Sequence, residues 1–155
     1  MFTPGNIIYA HFSNTNPPKP KYLIPLCRDK DLYVVACFTT SQDRAGVPIT
    51  EIQHGKIKNE KGEVISYVFL ATQEIGIVPS DGTPFKFPQN TVVRFDYCFQ
   101  RQYQEAFIKL MKEPVVVGKL SKKEYLDLIY AMYQSDDVLL LYKQAFEQIL
   151  HKNLG

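Results

Sequence analysis

The sequence has no tryptophan, and cysteine is scarce, with three residues in 155. Cys27, Cys37 and Cys98 are widely spaced, form no CxxC pair, and have no histidine beside them at the spacing of metal ligands. A disulfide framework and a zinc site are therefore not expected. We expect free thiols, buried or half-buried, in a reducing compartment.

Long apolar runs are also missing. No stretch approaches the roughly 18 apolar residues that span a bilayer, and the N-terminal residues lack the basic region and apolar core of a secretory signal. The Walker A, Rossmann, zincin and nucleophile-elbow motifs are absent too. We therefore expect a cytoplasmic protein that has no membrane partner and needs no cofactor or metal.

An excess of one charge is absent, since 18 basic and 16 acidic residues give a net charge of +2. The distribution is less even, because no acidic residue precedes Asp29, whereas Lys19, Lys21 and Arg28 do. This cationic N-terminal fifth suits a phosphate-bearing partner. A solvated loop with a few lysines accounts for the same pattern, and the sequence does not decide between the two.

The length predicts one domain, residues 1–155, and ten tyrosines and ten phenylalanines supply bulky side chains for its core. β-Branched and aromatic runs between turn signals predict strands over residues 6–12, 22–27, 32–40, 67–71, 91–95 and 114–118, with a hairpin over 56–66. Loops are predicted over residues 13–20 and 41–50. Pro25 predicts an edge position or a bulge in the second strand.

Apolar residues then recur at helical spacing, which predicts a helix over residues 100–112 that Pro114 ends. Ser121 and Glu124 form a capping-box pattern before a second helix. Residues 135–137 are predicted to cap a third helix over 138–151. Short strands with helices mainly at the end predict an α+β fold, a small and strongly curved β-barrel with C-terminal helices packed on it.

Five segments, in order, resemble the MazF/PemK toxin family and together span the chain in outline. They are PGNIIYAHF (residues 4–12), KYLIPL (21–26), VVACFTTS (34–41), QNTVVRF (89–95) and VGKLS (117–121). The order of these segments and their spacing at both ends carry the resemblance. It implies an SH3-like barrel that dimerises, cuts single-stranded RNA without a metal ion, and is blocked by an antitoxin peptide.

Metal-free RNA cleavage uses the neighbouring 2′-hydroxyl as nucleophile, so the protein must position it, move two protons and stabilise charge on the phosphorane. The resembled family uses an arginine after the first loop and a threonine at the end of the third strand. The matching positions here are Lys21 and Thr39. Lysine at position 21 departs from the family pattern. The difference matters because a mobile point charge positions a phosphate less well than the planar guanidinium of arginine does.

Five further residues are expected to bind substrate beside this pair. Lys19 and Arg28 are cations that can support Lys21, and Thr40 and Ser41 are hydroxyls that follow Thr39. His11, near the end of the first strand, is a candidate general acid or base, although a lone histidine is more often structural.

Two segments depart from the family pattern. The loop over residues 13–20 contains three prolines where the family has glycines, which predicts a stiffer surface. The segment over residues 42–89 is longer than is usual for these toxins and is long enough to cover the groove.

Three functions stay open at this point. The leading hypothesis is a metal-independent endoribonuclease of a toxin–antitoxin system, which cuts single-stranded RNA and has an antitoxin and a second copy of the chain as partners. The second is a non-catalytic module on the same barrel that binds nucleic acid or protein, in which the change from arginine to lysine reflects lost chemistry. The third is a structural or phage-type accessory protein.

Overall fold

The computed structural model describes residues 1–15, 19–41 and 52–153. Within them the chain forms eleven strands, which are β1 (Asn6–Phe12), β2 (Lys19–Arg28), β3 (Val34–Phe38), β4 (Thr40–Ser41), β5 (Gly55–Lys58), β6 (Val64–Phe69), β7 (Gly76–Ile77), β8 (Pro84–Phe85), β9 (Thr91–Arg94), β10 (Phe99–Gln102) and β11 (Met111–Leu120). Three helices complete the described part: α1 (Gln104–Leu110), α2 (Lys122–Gln134) and α3 (Leu140–Lys152). None of these helices is long and apolar enough to cross a membrane.

The strands form two open antiparallel sheets. The first sheet has the order β10-β3-β2-β1-β11-β7-β8, and the second has the order β4-β9-β6-β5. The predicted closed barrel with an SH3-like architecture is therefore wrong. Closure requires every strand to join one continuous ladder, whereas here β3 pairs with β2 of the first sheet and β4 pairs with β9 of the second. Local strand patterns do not specify which edges join, so the sequence did not reveal this division.

The first sheet packs against an apolar cluster on each face. One face presents Ile7, Ile24 and Val35 to a core shared with the second sheet and with α2 and α3. The opposite face packs under Phe2 and Phe107 of α1, through Ile8, Ala10, Phe12, Leu23, Val34 and Ala36. β3 is apolar and buried on both faces, as expected for a strand with a neighbour on either side.

Two local predictions can be compared directly with the structure. Pro25 lies at a register shift between β2 and β3, so the predicted bulge is confirmed. The helix predicted over residues 100–112 is too long, because Phe99–Gln102 pairs with β3 and Met111 already belongs to β11. Phe99 packs from its strand against Tyr142 of α3, and this tertiary contact outweighs the local helical pattern.

The turn between β2 and β3 is organised by Asp29. Its Oδ1 accepts the backbone N–H groups of Asp31 at 2.9 Å and Tyr33 at 3.1 Å, and its Oδ2 accepts Arg101 Nε at 2.5 Å. Burial by itself would raise the pKa of the Asp29 carboxyl. The hydrogen bonds from Arg101 and the two amides outweigh that effect and lower this pKa below its usual value.

Glu124 joins α2 to the second sheet. Its backbone N–H donates to Ser121 Oγ at 3.2 Å, which is one half of the predicted capping box. The other half does not form, because the Ser121 N–H donates to the Ile75 carbonyl at 2.9 Å. The Glu124 carboxylate instead accepts the Tyr67 hydroxyl at 2.7 Å and lies 2.5 Å from His54 Nε2.

The tautomer of His54 follows from its second contact. His54 Nδ1 accepts the backbone N–H of Leu70 at 3.2 Å, so in the neutral ring Nε2 carries the proton and donates it to Glu124. Burial and then the Glu124 carboxylate raise the pKa of Tyr67, which therefore stays a protonated donor. His54 thus has a structural role, because it links the loop before β5 to Glu124 of α2 and to Leu70 after β6.

We expect Tyr67→Phe to lower the free energy of unfolding by about 1.5–3 kcal/mol, because it removes a buried hydrogen bond to a charged group. Chemical denaturation measures the change. Tyr130→Phe is the matched control, since the side chain of Tyr130 is 51% exposed on the same helix as Glu124, and it should change stability by less than about 0.5 kcal/mol. Equal effects of the two substitutions would contradict the role assigned to Glu124.

We expect Asp29→Asn to lower the free energy of unfolding by about 1–3 kcal/mol at pH 7. A carboxyl whose pKa is lower in the folded state stabilises the fold above its ordinary pKa of about 3.9, and loses that contribution as the pH falls through the folded value. The difference in the free energy of unfolding between Asp29→Asn and wild type should therefore be constant above about pH 5 and shrink on further acidification. Denaturation midpoints at several pH values measure it, with the exposed Asp136→Asn as control; a difference that does not change with pH would contradict the assignment.

Candidate functional site

A cavity lies where β2 extends beyond its partner β3. β3 pairs with β2 only from Leu23 onward, and the last contact is the Thr39 N–H, which donates to the Tyr22 carbonyl at 3.2 Å. The chain then crosses to the second sheet as β4. The cavity between the two sheets has a volume of about 580 Å³ and is lined by Tyr9, Lys19, Pro20, Lys21, Tyr22, Thr39, Thr40, Ser41, Pro88, Gln89 and Thr91.

The lysine and tyrosine side chains of the site project from opposite faces of the β1–β2 ladder. Lys19 and Lys21 pair with Phe12 and Ala10 of β1, while Tyr22 pairs with Tyr9. Because directly paired residues share a face, the two lysines project on one side of β2, and Tyr22 and Tyr9 project on the other. The ammonium group of Lys21 lies 5.4 Å from the centroid of the Phe38 ring, a favourable cation–π distance.

Three consecutive hydroxyl residues form another part of the wall. Thr39 is only 6% exposed and lies at the point where the chain changes sheets, whereas Thr40 and Ser41 are half-buried in β4. Thr39 and Thr40 are the two threonines of this wall. Thr39 is the more buried of the two, and both residues line the cavity.

The charge of the cavity is positive within the part of the chain that the structure describes. Lys19 and Lys21 are its ionised side chains, and no aspartate, glutamate or histidine of the described residues lines it. Burial, and then the neighbouring Tyr9, raise the pKa of Tyr22, so its hydroxyl stays neutral at physiological pH. The arrangement offers ammonium groups and hydroxyl donors together, which suits an anionic ligand.

An aromatic row supports the side of the cavity opposite the lysines. The rings of Tyr9 and Tyr22 are 4.9 Å apart, and Tyr22 meets Phe87 edge-on, also at 4.9 Å. Phe87 is buried and continues the row to Phe69 at 5.4 Å. The exposed end of the row is Tyr9.

Two residues predicted to belong to the site lie elsewhere. His11 is exposed and pairs with Pro20 in the β1–β2 ladder, but it does not line the cavity. Arg28 is at the far end of β2, about 23 Å along the strand from Lys21, and its side chain donates to Gln104. The structure thus brings together Lys19, Lys21, Thr39, Thr40 and Ser41, leaves His11 beside them and separates Arg28.

The sequence analysis missed the aromatic and second-sheet walls. Alternation along β1 puts Tyr9 on the face opposite Ile8 and Ala10, but that face also carries the buried Ile7, so the sequence did not reveal that Tyr9 is exposed. Gln89 and Thr91 gave no local signal, since they line the cavity together with residues of β2 that are far from them along the chain. The loop predicted over residues 13–20 extends too far, because β2 already begins at Lys19. Residues 16–18 and 42–51 lie outside the described part of the chain, and so does most of the loop predicted over residues 41–50.

No family model, curated protein or solved structure matches this chain. The resemblance to the MazF/PemK toxins therefore stays a prediction. Among the described residues, no group of three His, Cys, Asp or Glu side chains is arranged to hold a metal ion. Cys27, Cys37 and Cys98 are free and buried.

Proposed function

We propose that this chain binds single-stranded RNA in the cavity at the end of β2. The observation that carries the proposal is that Lys19 and Lys21 line the same cavity as the hydroxyl residues Thr39, Thr40 and Ser41. Ammonium groups neutralise phosphate charge, and hydroxyl groups donate hydrogen bonds to the phosphate oxygens.

The spacing of the two lysines favours a chain of phosphates over a single small anion. Alternate residues of a strand are about 6.6 Å apart on the same face, so Lys19 and Lys21 contact different groups of an extended ligand. A volume of about 580 Å³ falls in the range of sites for ligands larger than an inorganic ion. The tyrosines at the opposite wall provide apolar surface for the bases.

Metal-independent cleavage of the bound RNA is the second candidate, because Lys21 and Thr39, which the resemblance implies as the catalytic pair, line one cavity. In that reaction the 2′-oxygen forms a bond to phosphorus and the bond from phosphorus to the 5′-oxygen breaks. The 2′-hydroxyl gives up a proton and the leaving 5′-oxygen receives one, which leaves a 2′,3′-cyclic phosphate. His11, opposite Pro20 in the ladder, is the imidazole that we assign to proton transfer in this candidate.

Binding needs fewer assumptions than cleavage. It uses only groups that line the cavity, whereas cleavage also needs His11 to move toward the scissile phosphate. An antitoxin peptide and a second copy of the chain are partners that accompany the cleavage candidate alone. We therefore place RNA binding first.

We expect Lys19→Ala and Lys21→Ala each to weaken binding of a 5′-labelled 12-nucleotide single-stranded RNA, measured by fluorescence anisotropy. Each lost phosphate contact should also reduce the slope of log Kd against log salt concentration by about 0.7. Lys61→Ala is the matched control, because Lys61 is exposed in the β5–β6 turn, away from the cavity lining. Absence of binding at low salt, or an equal loss in the control, would overturn the proposal.

The same RNA incubated with the protein in EDTA distinguishes cleavage from binding. If cleavage occurs, the product carries a cyclic phosphate and His11→Ala slows its formation, while His151→Ala on the exposed face of α3 does not. RNA that stays intact while bound would exclude the second candidate and leave the first in place.

A further inference from the structure

We infer that Tyr9 is a stacking platform for one nucleobase of the bound RNA, an inference that rests on the proposed function. Tyr9 is 36% exposed at the middle of β1, a strand whose neighbouring residues Ile8 and Ala10 are buried. A large aromatic ring at an exposed strand position, beside a cationic cavity, is the combination that single-strand binding sites use.

A contact with the ring of Tyr22 on the neighbouring strand holds the Tyr9 ring in place. Tyr22 lies 4.9 Å away with an interplanar angle of 47°, and Tyr22 is itself held edge-on by the buried Phe87. A ring fixed in this way loses little side-chain freedom when a base stacks on it, so more of the stacking energy appears as affinity.

The apolar surface continues on the other side of Tyr9. Val115 of β11 pairs with Tyr9 and is 55% exposed. Because paired residues share a face, Val115, Tyr9 and Tyr22 form an apolar strip across three strands. One end of this strip, at Tyr22, borders the cavity that Lys19 and Lys21 also line. A ligand with alternating phosphates and flat apolar rings matches both the cationic cavity and the apolar strip.

Within the described residues, no strand pairs with the edge of β2 at Lys19–Tyr22, but an extended peptide added to this edge fits less well than RNA. The Thr39 N–H already occupies the carbonyl of Tyr22, and Pro20, two residues earlier on the same edge, has no N–H to donate. Strand addition depends on such main-chain hydrogen bonds. The edge therefore offers few of them, and the side chains around it favour a nucleic acid.

The stacking geometry also predicts a preference for single strands. In a duplex each base is stacked between its neighbours and paired, so its face is not available to Tyr9. In a single strand the face is accessible, and stacking tolerates every base because all have a π-face. Duplex RNA retains only the phosphate contacts with the lysines.

We expect Tyr9→Ala to weaken binding of the 12-nucleotide single-stranded RNA by about 5- to 150-fold, and Tyr9→Phe to bind like wild type. An abasic ribose-phosphate strand of the same length should bind wild type and Tyr9→Ala equally weakly. A duplex of the same sequence should also show no effect of Tyr9→Ala. Tyr97→Ala is the matched control, because Tyr97 is 56% exposed in the turn after β9 and does not line the cavity.

A spectroscopic measurement tests the contact itself. Because the chain has no tryptophan, Tyr9→Trp introduces a single indole whose fluorescence should be quenched by the single-stranded RNA over the same concentration range as the anisotropy change. The abasic strand should leave the fluorescence unchanged.

The outcomes separate the two proposals. If RNA binds and depends on Lys19 and Lys21 but Tyr9→Ala has no effect, the stacking inference is overturned and the proposed function stands. An equal loss in Tyr97→Ala, or equal quenching by the abasic strand, overturns it as well. If no variant and no wild-type protein binds RNA, the proposed function fails first and the inference fails with it.

Discussion

The hydrogen bond from the Thr39 N–H to the Tyr22 carbonyl is the contact on which the candidate site depends. It is the last link between β2 and the chain segment that follows β3, and one residue later the chain enters the second sheet through β4. Since β2 continues past this point with Lys19–Tyr22, that end of β2 is an open edge of the first sheet within the described residues. The space between that edge and the second sheet is the cavity, so the change of sheet at Thr39 both creates the site and orders its hydroxyl residues.

The open edge also determines which side chains reach the cavity. Strand alternation puts Lys19 and Lys21 on one face of β2 and Tyr22 on the other. The aromatic face connects through Phe87 to the main core, whereas Lys21 lies over Phe38 at the margin of the cluster beneath α1. A charged wall and an apolar wall therefore result from a single strand. The proline at position 20, which would break a ladder in the middle of a sheet, is compatible with this edge.

The sequence predicted the local elements better than their assembly. β1, the β5–β6 hairpin, the bulge at Pro25 and the Ser121 cap follow from residue type and short-range spacing, and all four are present. The division into two open sheets depends on which edges pair over long distances, and no local pattern encodes that choice. Lys21 and Thr39 were candidates because the resemblance to the MazF/PemK toxins implies them, whereas no role was expected for Gln89 and Thr91. Arg28 shows the opposite error, since nearness in sequence on β2 placed it with Lys21 although the length of the strand separates them.

The resemblance to the MazF/PemK toxins aligns Lys21 with an arginine, and the difference between the two side chains has a physical consequence in this setting. A guanidinium holds two oxygens of one phosphate in a fixed plane, which suits the stabilisation of a transition state. Two lysines on alternate positions of a strand, about 6.6 Å apart along the backbone, instead provide two separate and mobile point charges, which do not fix the geometry of any one phosphate. The described cavity lining also contains no carboxylate or imidazole to exchange protons with the ligand. Charge without fixed orientation, next to an apolar strip on which a base would stack in the proposed complex, is better suited to holding an RNA strand than to cutting it, and this is why we propose RNA binding ahead of cleavage.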